Sequence, residues 1–489
     1  MDRIFVSGMR FVDEHGRERI LSGMNVCDKK DYDEKNPAYG YPADTFPFEE
    51  FRARGYDVIR LGFTWGAMEP QPGKYNEVLI ESLCKFLDKC EEYGIYAYLD
   101  CHQDVWSPAI YGDGAPRWAT ITDEFKPRKP IAVWAEPYFY GKACFRAFDN
   151  FWNNVKYNGK GLQDYFADMW KHVVAATMDK PALFGYDFFN EPHPGADGGK
   201  LFRTLIKSLV KNSVTDKRVS LTKLAKQGIF SKEKVRALDQ YTGDVFRNIN
   251  SACDPIIKNF DETKYSPFLN RIATAIREVT DKGAMFMENN YYSNLGIPCC
   301  SKAIEVNGER ESQQVFAPHA YDLMVDTPAY KFASNSRVGM IFDEHRKVQE
   351  RLGVPCLVGE WGSCAEGDGW YPHIRFLQDK FDSYKWSNTY WCYFDNILEQ
   401  DFMVVLTRPR PKAVTGEIIS YKYDFEGNSF TLKYNQDKEY NVPTVVYAHT
   451  TPTEIKCNGT YKIIELPGNI GCDIEFTTDI GENEITLKF

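Results

Sequence analysis

The sequence predicts a (β/α)8 TIM barrel followed by a small C-terminal antiparallel β-sandwich, and three observations support this. Short apolar runs alternate with helical patterns over about the first 400 residues, as in repeated strand–helix units of a parallel sheet. There are eight such runs, which is the number of strands that closes a barrel. From Lys412 onward, short runs of alternating polarity are separated by Gly and Asn, which is typical of a β-sandwich.

The eight predicted barrel strands are rich in aliphatic and aromatic residues. They cover residues 19–26, 57–63, 95–102, 183–191, 284–290, 315–321, 355–361 and 389–394. Helices are predicted between them near residues 74–93, 161–177, 266–281, 338–352 and 371–384. In the first of these, five apolar residues share one face: Leu79, Leu83, Phe86, Leu87 and Cys90. An open doubly wound sheet is the alternative, but no glycine-rich phosphate loop opens any of these helices.

The chain divides into two predicted domains. The barrel covers residues 1–407 and includes an extended, basic insertion at residues 192–265, after the fourth strand. The sandwich covers residues 408–489, and the RPRP sequence at residues 408–411 marks the junction because proline limits regular structure around it. Seven sandwich strands are expected, at residues 417–423, 429–434, 444–449, 454–457, 461–466, 472–478 and 484–489.

Composition excludes several classes of protein. The 489 residues carry 59 basic and 69 acidic side chains, so the net charge of −10 disfavours binding to nucleic acid phosphates. The 13 cysteines show no paired CxxC spacing, and we expect neither a metal nor a cofactor. No obligate protein partner is evident. Without a signal peptide or transmembrane segment, the chain is expected to be cytoplasmic as written, or secreted if a signal has been removed.

Polar and aromatic residues recur at the ends of the predicted strands. The C-terminal ends of barrel strands meet at one rim, where the active sites of this fold lie. A single strand-end Glu is more often a cap or an ion-pair partner, but all eight strands deliver such a group here. The residues concerned are Asn25, Arg60, His102, Asp104, Asn190, Glu191, Glu288 to Asn290, His319, Tyr321, Glu360 and Trp391.

Two of these carboxylates indicate a specific chemistry. Glu191 follows DFFN, and Glu360 follows CLVG, so apolar neighbours are expected to raise the pKa of each. Two carboxylates at one barrel mouth suit glycoside hydrolysis, in which one protonates the leaving oxygen and the other attacks the anomeric carbon. A divalent-metal site is the competing interpretation, but the nearby His, Trp and Asn residues fit a sugar better.

Short motifs surround these residues, namely NEP at 190–192, GEWG at 359–362 and H-x-Y at 319–321, and they occur together with Arg60 and His102. This set resembles glycoside hydrolase family 5. The resemblance becomes more specific through three longer segments, which are similar to endoglycoceramidases and their relatives. These segments are GFTWGAMEPQPGKY at 62–75, LDCHQDVWS at 99–107 and RPRPKAV at 408–414.

The resemblance implies a retaining mechanism with two glutamates. Glu191 is the implied general acid/base and Glu360 the implied nucleophile, with their carboxyl groups about 5–5.5 Å apart. Tyr321 and Arg60 are expected to orient Glu360 and keep it ionised, and His319 to support Glu191.

The remaining site residues are implied to contact the sugar. Asn190 is expected to bind the 2-hydroxyl, and His102 and Asp104 other hydroxyls. Trp391 is expected to form the floor beneath the sugar. Two further tryptophans, Trp65 and Trp106, are expected either to contact sugar or to pack in the core.

The insertion is unusually basic. Residues 200–236 contain 11 Lys and Arg but only two acidic residues. Six apolar residues lie near one face of a predicted helix at 200–212: Leu201, Phe202, Leu205, Ile206, Leu209 and Val210. Such a helix either contacts a membrane surface or packs its apolar face on the barrel with solvated lysines outside.

We therefore expect a retaining β-glycosidase that hydrolyses the glycan–ceramide linkage of glycosphingolipids and transiently contacts a membrane or micelle surface. Three alternatives remain open. They are a β-glucosidase acting on glucosylceramide or steryl glucosides, a family 5 β-glucanase or mannanase, and a non-catalytic sugar- or lipid-binding protein.

Overall fold

The computed structural model describes residues 1–37, 43–131, 133–230, 240–325, 330–363 and 368–489. The strands up to the junction are β1 (Ile4–Ser7), β2 (Arg10–Asp13), β3 (Glu18–Arg19), β4 (Ser22–Cys27), β5 (Val58–Thr64), β6 (Tyr96–His102), β7 (Lys156–Tyr157), β8 (Lys160–Gly161), β9 (Leu183–Asp187), β10 (Ala284–Met287), β11 (Glu305–Val306), β12 (Glu309–Arg310), β13 (Gln314–Phe316), β14 (Leu357–Val358), β15 (Ser387–Tyr390) and β16 (Arg410–Val414). The tail adds β17 (Glu417–Asp424), β18 (Ser429–Gln436), β19 (Thr444–Ala448), β20 (Glu454–Lys456), β21 (Gly459–Glu465), β22 (Cys472–Thr478) and β23 (Gly481–Lys488).

Eight parallel strands form the barrel, in the order β13–β10–β9–β6–β5–β4–β15–β14. Isolated parallel bridges, Phe316 to Cys356 and His319 to Glu360, join the two remaining edges. Each predicted barrel strand is present, so the predicted fold class is confirmed. Several strands end earlier than predicted, because the apolar residues that follow them leave the sheet to build the mouth of the barrel.

Helices surround the barrel, and several of them pack their apolar faces on it. They are α1 (Phe48–Ala53), α2 (Trp65–Met68), α3 (Glu77–Glu92), α4 (Glu136–Tyr140), α5 (Lys142–Trp152), α6 (Leu162–Thr177), α7 (Asp197–Thr215), α8 (Leu221–Phe230), α9 (Gly243–Asn250), α10 (Asp254–Phe260), α11 (Ser266–Arg277), α12 (Asn335–Leu352), α13 (Tyr371–Tyr384) and α14 (Met403–Leu406). In α3, Asn76 caps the first turn, and the five apolar residues predicted to share a face are all buried. No helix within the described ranges is long and apolar enough to cross a bilayer.

The tail forms the predicted sandwich, and all seven predicted strands are present. One sheet has the order β17–β18–β23–β20, and the other contains β16, β19, β22 and β21. Their facing apolar side chains, including Phe430, Val446 and Ile474, form a separate core.

The N-terminal segment contributes to both domains. Strand β3 pairs with β16, which extends the second sandwich sheet to seven strands with β1 and β2 at its edge. Phe11 on β2 packs with Val58, Tyr96 and Phe184 at the N-terminal end of the barrel. This pairing spans more than 390 residues of sequence and was not predicted; the division into domains at residue 408 stays a prediction.

In the described part of the basic insertion lie helices α7 to α10. In α7, the six apolar residues predicted to share one face do not all pack against the protein. Leu201 is buried, whereas Phe202, Ile206 and Val210 are exposed. The six positions cover about half of the helix circumference, which is too wide for one flat contact. The helix therefore presents apolar side chains both inward and outward.

Candidate active site

The strand-end polar residues come together at one rim of the barrel. Arg60 lies in the middle of β5, and His102 is the last residue of β6. Glu191 follows β9 by four residues, and Glu360 follows β14 by two. The parallel bridge between His319 and Glu360 connects two of these strand ends directly. Parallel strands thus bring residues 300 positions apart in sequence into one site.

Arg60 is the centre of the buried charge network. Its guanidinium is fully buried and donates to Glu360 Oε1 at 2.7 Å and to Glu288 Oε1 at 2.6 Å. It also pairs with Asp100 and Asp187, each at 2.9 Å. One cation therefore faces four carboxylates in a site with little water, which fixes the position of each carboxylate it contacts.

Glu360 is held by a donor on each oxygen. Arg60 donates to Oε1, and the Tyr321 hydroxyl donates to Oε2 at 2.9 Å. Asn25 donates to the carbonyl of Gly359 at 2.9 Å, which positions the backbone just before this carboxylate. Donors on both oxygens fix the position and direction of this carboxylate.

Glu191 has a different environment. Its Oε1 accepts a hydrogen bond from Asn294 Nδ2 at 2.6 Å and lies 3.2 Å from Nδ1 of His319. Burial, together with the negative charge of Asp104, raises the pKa of Glu191 to about 7. Its backbone has a positive φ of 42° and donates to Glu288 Oε2 at 2.7 Å. Glu288 thus stabilises a backbone conformation that non-glycine residues rarely adopt.

The two glutamates are close to each other. One oxygen from each carboxylate and one nitrogen of His319 all lie within 4.8 Å of one another. Burial lowers the pKa of His319 to about 3, so its imidazole is neutral at physiological pH. The ring occupies space beside Gly359, where a Cβ would lie 2.5 Å from His319 Nε2. Gly359, the first residue of the GEWG motif, is therefore required because a larger side chain would collide with the His319 ring.

Asn190 and His102 lie between Arg60 and the cavity. Asn190 Oδ1 accepts from Arg60 at 3.0 Å, and its Nδ2 donates to the carbonyl of Gln103 at 3.0 Å. His102 Nδ1 is 2.8 Å from Asp100, and its Nε2 is 3.5 Å from Asp104. The carboxylate on Nδ1 fixes the orientation of the imidazole ring.

Trp391 forms one wall of the site. Its ring stacks on His102 with a centroid separation of 5.2 Å and an interplanar angle of 16°. Lys29 Nζ lies 4.5 Å from the centroid of the Trp391 ring and forms an ion pair with Asp104. The indole therefore lies in a polar corner with hydrogen-bonding groups at its edge, which suits the mixed polar and apolar surface of a sugar.

A cavity of about 670 Å³ opens from these residues. Its polar part contains Glu191, Glu360 and Trp391. A second part is apolar and begins beside Glu191. Asn294, which donates to Glu191, belongs to a short 3-10 helix at Tyr291–Leu295, and Tyr291 and Leu295 of this helix also line the cavity. The apolar lining residues are Val133, Trp134, Ala135, Phe139, Tyr291, Leu295 and Leu323.

Comparison with known families identifies the chain. The family model described as cellulase (glycosyl hydrolase family 5) matches residues 12–397. This chain belongs to glycoside hydrolase family 5. A second model, the glycoside hydrolase family 5 C-terminal domain, matches residues 408–466 in the tail of this family 5 protein.

Its relatives include glycolipid hydrolases. An endoglycoceramidase from Hydra vulgaris is 31% identical over 208 residues, which cover 38% of this chain and 39% of that protein. A glucosylceramidase from Aspergillus fumigatus is 28% identical over 253 residues, covering 40% of this chain and 33% of that protein. In both cases the chain spans well under two thirds of the relative's length.

A solved structure matches over the whole chain. Endo-glycoceramidase II from Rhodococcus sp., in a ganglioside GM3 complex, superimposes with a TM-score of 0.72 at 21% identity. The match covers 99% of both chains. It shows that this family 5 protein shares the fold of that enzyme, sandwich included.

For Trp65 and Trp106 the structure supports core packing, which is the second of the two expected roles. Trp65 and Trp106 are 1% and 0% exposed and belong to the main hydrophobic core. Trp65 donates to Glu69 Oε2 at 2.7 Å, and Trp106 packs against Phe148 and other aromatic rings. Both lie behind the rim, because the residues after β5 and β6 fold back over the helices instead of facing the cavity.

Three residues of the site were missed by sequence reasoning. Lys29 and Asn294 were not considered, and Glu288 was noted at a strand end but given no role. Lys29 follows β4 by two residues, and that position at the rim could have been a signal. Asn294 lies seven residues beyond β10, inside a loop whose path the sequence does not indicate.

Proposed function

We propose that this protein is a retaining β-glycosidase that cleaves the bond between the glycan and the lipid of a glycosphingolipid. The spacing of the two glutamates supports retention. Retaining enzymes hold their carboxyl groups about 5–5.5 Å apart, whereas inverting enzymes need roughly 6.5–9.5 Å to admit a water. Carboxylate oxygens within 4.8 Å of each other match the shorter class.

Glu360 is the proposed nucleophile. Its ionised oxygen attacks the anomeric carbon, the bond from that carbon to the lipid oxygen breaks, and a covalent glycosyl-enzyme forms. Arg60 and Tyr321 each donate to one oxygen of this carboxylate and fix its direction before the attack.

Glu191 is the proposed general acid/base. With a pKa of about 7, it retains a proton near neutral pH and donates it to the leaving lipid oxygen. The resulting carboxylate then accepts a proton from water as the water oxygen attacks the anomeric carbon and releases Glu360. His319 and Asn294 position Glu191 for both steps.

Four further residues are proposed to bind the sugar next to the cleaved bond. Trp391 provides the stacking surface, and Asn190, His102 and Asp104 provide hydrogen-bonding groups for hydroxyls. Arg60 and Asp100 hold Asn190 and His102 in position, so the binding groups are preorganised.

The choice of substrate depends on the aglycone, which is the non-sugar group that leaves when the glycosidic bond breaks. The acid protonates the leaving group, so the leaving group must lie beside Glu191. The cavity wall beside Glu191 is apolar and aromatic, and includes Tyr291, Leu295 and Phe139. A polysaccharide would need hydrogen-bonding groups there, whereas a lipid chain buries apolar surface against such a wall. The proposal of a lipid aglycone rests on this apolar wall beside Glu191.

The relatives support the same class and leave one alternative. The Hydra relative is an endoglycoceramidase, and the Rhodococcus enzyme is described in a complex with ganglioside GM3. The Aspergillus relative is a glucosylceramidase, which favours hydrolysis of a simple glucosylated lipid as the second candidate.

One experiment tests the proposal. The purified protein is incubated with glucosylceramide, lactosylceramide, a ganglioside, a steryl glucoside and a soluble β-glucan, and the products are identified. Release of intact glycan from lactosylceramide or the ganglioside is expected. Release of glucose from glucosylceramide alone would establish the alternative, and hydrolysis confined to the β-glucan would contradict both.

A further inference from the structure

Exposed apolar side chains are concentrated in two segments of the protein. Among the residues that the structure describes, 18 large apolar side chains are exposed, and nine of them lie within residues 125–140 and α7. Soluble surfaces rarely expose contiguous apolar patches of this kind unless the patch binds something.

Helix α7 carries four of the nine in a single row. Phe202, Ile206, Val210 and Val214 follow each other at four-residue intervals, which places them along one side of the helix. Ile206 and Val210 are 47% and 48% exposed, and Val214 is 85% exposed. Leu201, on the opposite side, is buried and anchors the helix to the protein.

The segment at residues 125–140 carries the other five. They are Phe125, Ile131, Val133, Trp134 and Tyr140. Two of them, Val133 and Trp134, also line the active-site cavity. Tryptophan and tyrosine are characteristic of the boundary between lipid and water, because one part of each ring system is apolar and another forms hydrogen bonds.

The two segments form one surface at the mouth of the cavity. Phe139 lines the cavity, and its ring lies 5.7 Å from that of Phe202 at the start of the α7 row. The apolar row of α7 therefore continues directly into the apolar wall beside Glu191. We call residues 125–131 and 133–140 together with the exposed row of α7 the docking surface.

Basic residues flank the docking surface, although the whole protein is acidic. Arg203, Lys207 and Lys211 each follow a residue of the apolar row and lie in the adjacent row of the helix. In the part of the chain that the structure describes, no salt bridge engages these three side chains or the exposed Lys126, Arg128 and Lys129. Arg128 instead lies over the Tyr140 ring.

We propose that the docking surface binds the interface of a bilayer that contains anionic lipid, so that the cavity mouth faces the membrane. This inference rests on the proposed function, since a glycosphingolipid is anchored in such a bilayer. An apolar row bordered by exposed cations is the pattern of an interfacial helix. Each cation near an anionic surface strengthens binding, and the apolar row enters the boundary between headgroups and acyl chains.

The test measures vesicle binding without any glycolipid, so that it does not depend on catalysis. The protein is floated with phosphatidylcholine vesicles and with vesicles of phosphatidylcholine and phosphatidylserine. Binding is expected only to the anionic vesicles, and it should weaken at high ionic strength because the charges are solvent-exposed.

Two double variants separate the charge from the apolar contribution. Lys207→Glu with Lys211→Glu, and Ile206→Glu with Val210→Glu, are each expected to weaken binding at least about tenfold. Matched controls lie on the sandwich, where Lys422→Glu with Lys462→Glu and Ile419→Glu with Ile480→Glu should leave binding unchanged. Circular dichroism and the thermal midpoint establish that each variant is folded.

Activity assays distinguish this inference from the proposed function. The α7 variants should hydrolyse a soluble short-chain glycoside as the wild type does, but lose most activity on vesicle-embedded glycolipid. Equal vesicle binding by wild type and α7 variants would overturn the inference. So would a concentration-dependent dimer that the same substitutions abolish, since the surface would then bind a second copy of the chain. If vesicles bind normally but no glycolipid is hydrolysed, only the proposed function fails.

Discussion

The two ends of the barrel use buried charge in opposite ways. At the junction with the sandwich, each buried cation of the RPRPK sequence pairs with a different carboxylate. The pairs are Arg408 with Asp382, Arg410 with Asp57, and Lys412 with Asp473. At the mouth, Arg60 alone faces four carboxylates, which are Asp100, Asp187, Glu288 and Glu360.

The difference separates charges that hold domains together from charges that prepare a reaction. Matched pairs offset each other's charge, and in one of them Lys412, with Arg52, lowers the pKa of Asp473 to about 2 although burial opposes this. Beside Arg408, burial still raises the pKa of Asp382.

At the mouth there are more carboxylates than cations, so some must retain protons. Burial raises the pKa of Asp187, of Glu288 and of Glu191, the last to about 7. An excess of buried acid at the rim is thus a property expected of a catalytic site.

The largest effect is expected from Glu360→Gln, which removes the negative charge at the mouth that Arg60 and Tyr321 hold in place. Without a nucleophile, hydrolysis should fall by about 10,000-fold or more, with little change in thermal stability. Steady-state kinetics on a soluble glycoside measure this loss. The matched control is Glu311→Gln, a buried glutamate paired with Arg277 at the other end of the barrel. Loss of activity in both variants would show that fold, and not chemistry, had been disturbed.

The next largest effect is expected from Glu191→Gln, which tests the raised pKa of Glu191 directly. The wild-type kcat/KM should decline as pH rises through about 7, because Glu191 then loses the proton that the leaving oxygen needs. The variant should be about 100- to 10,000-fold slower and should lack this alkaline decline. A decline at the same pH in the folded variant would assign the titration to another group.

At the opposite end of the barrel, Arg410→Met should lower the stability of the protein without changing the catalysed reaction. The substitution leaves Asp57 buried without its cation, and also removes the hydrogen bonds to the carbonyls of Ile20 and Gly55. The free energy of unfolding should fall by about 3–5 kcal/mol, measured by chemical denaturation. The pH dependence of kcat/KM should be that of the wild type. A shifted pH profile would contradict the separation between the two ends.

The smallest effect is expected from Tyr321→Phe. It removes one hydrogen bond to the charged Glu360 but leaves the ring and the contact from Arg60. Such a bond contributes about 1.5–3 kcal/mol, so kcat/KM should fall about 10- to 100-fold. Unchanged kinetics would mean that Arg60 alone is sufficient to orient the nucleophile. Tyr330→Phe, at a tyrosine outside this cavity, provides the control.

Sequence reasoning was most successful where local pattern and chain topology agree. Leu79, Leu83 and Phe86 recur at helical spacing, and all are buried in α3 as predicted. The NEP and GEWG motifs located Glu191 and Glu360 because parallel barrel strands all end at one rim. The seven strands of the sandwich followed from alternation of polarity alone.

Sequence reasoning failed where a side chain's direction depends on distant residues. Trp65 follows a barrel strand just as Trp391 does, yet Trp65 is in the core and Trp391 lines the cavity. Likewise, Phe202 and Leu201 are neighbours on α7, but only Leu201 is buried. No local pattern distinguishes the members of either pair, since packing against other segments decides their burial.

The sequence by itself determined the barrel, the sandwich, the family and the strand-end positions of Glu191 and Glu360, because periodicity and short motifs are local properties that one topology places together. Only the tertiary structure decided that Arg60 faces four carboxylates, that Asn294 contacts Glu191 and that an apolar wall begins there. It also showed that α7 turns an apolar row outward beside a row of lysine and arginine. Those features depend on distances between segments far apart in the chain, and burial and electrostatic interaction are set by such distances.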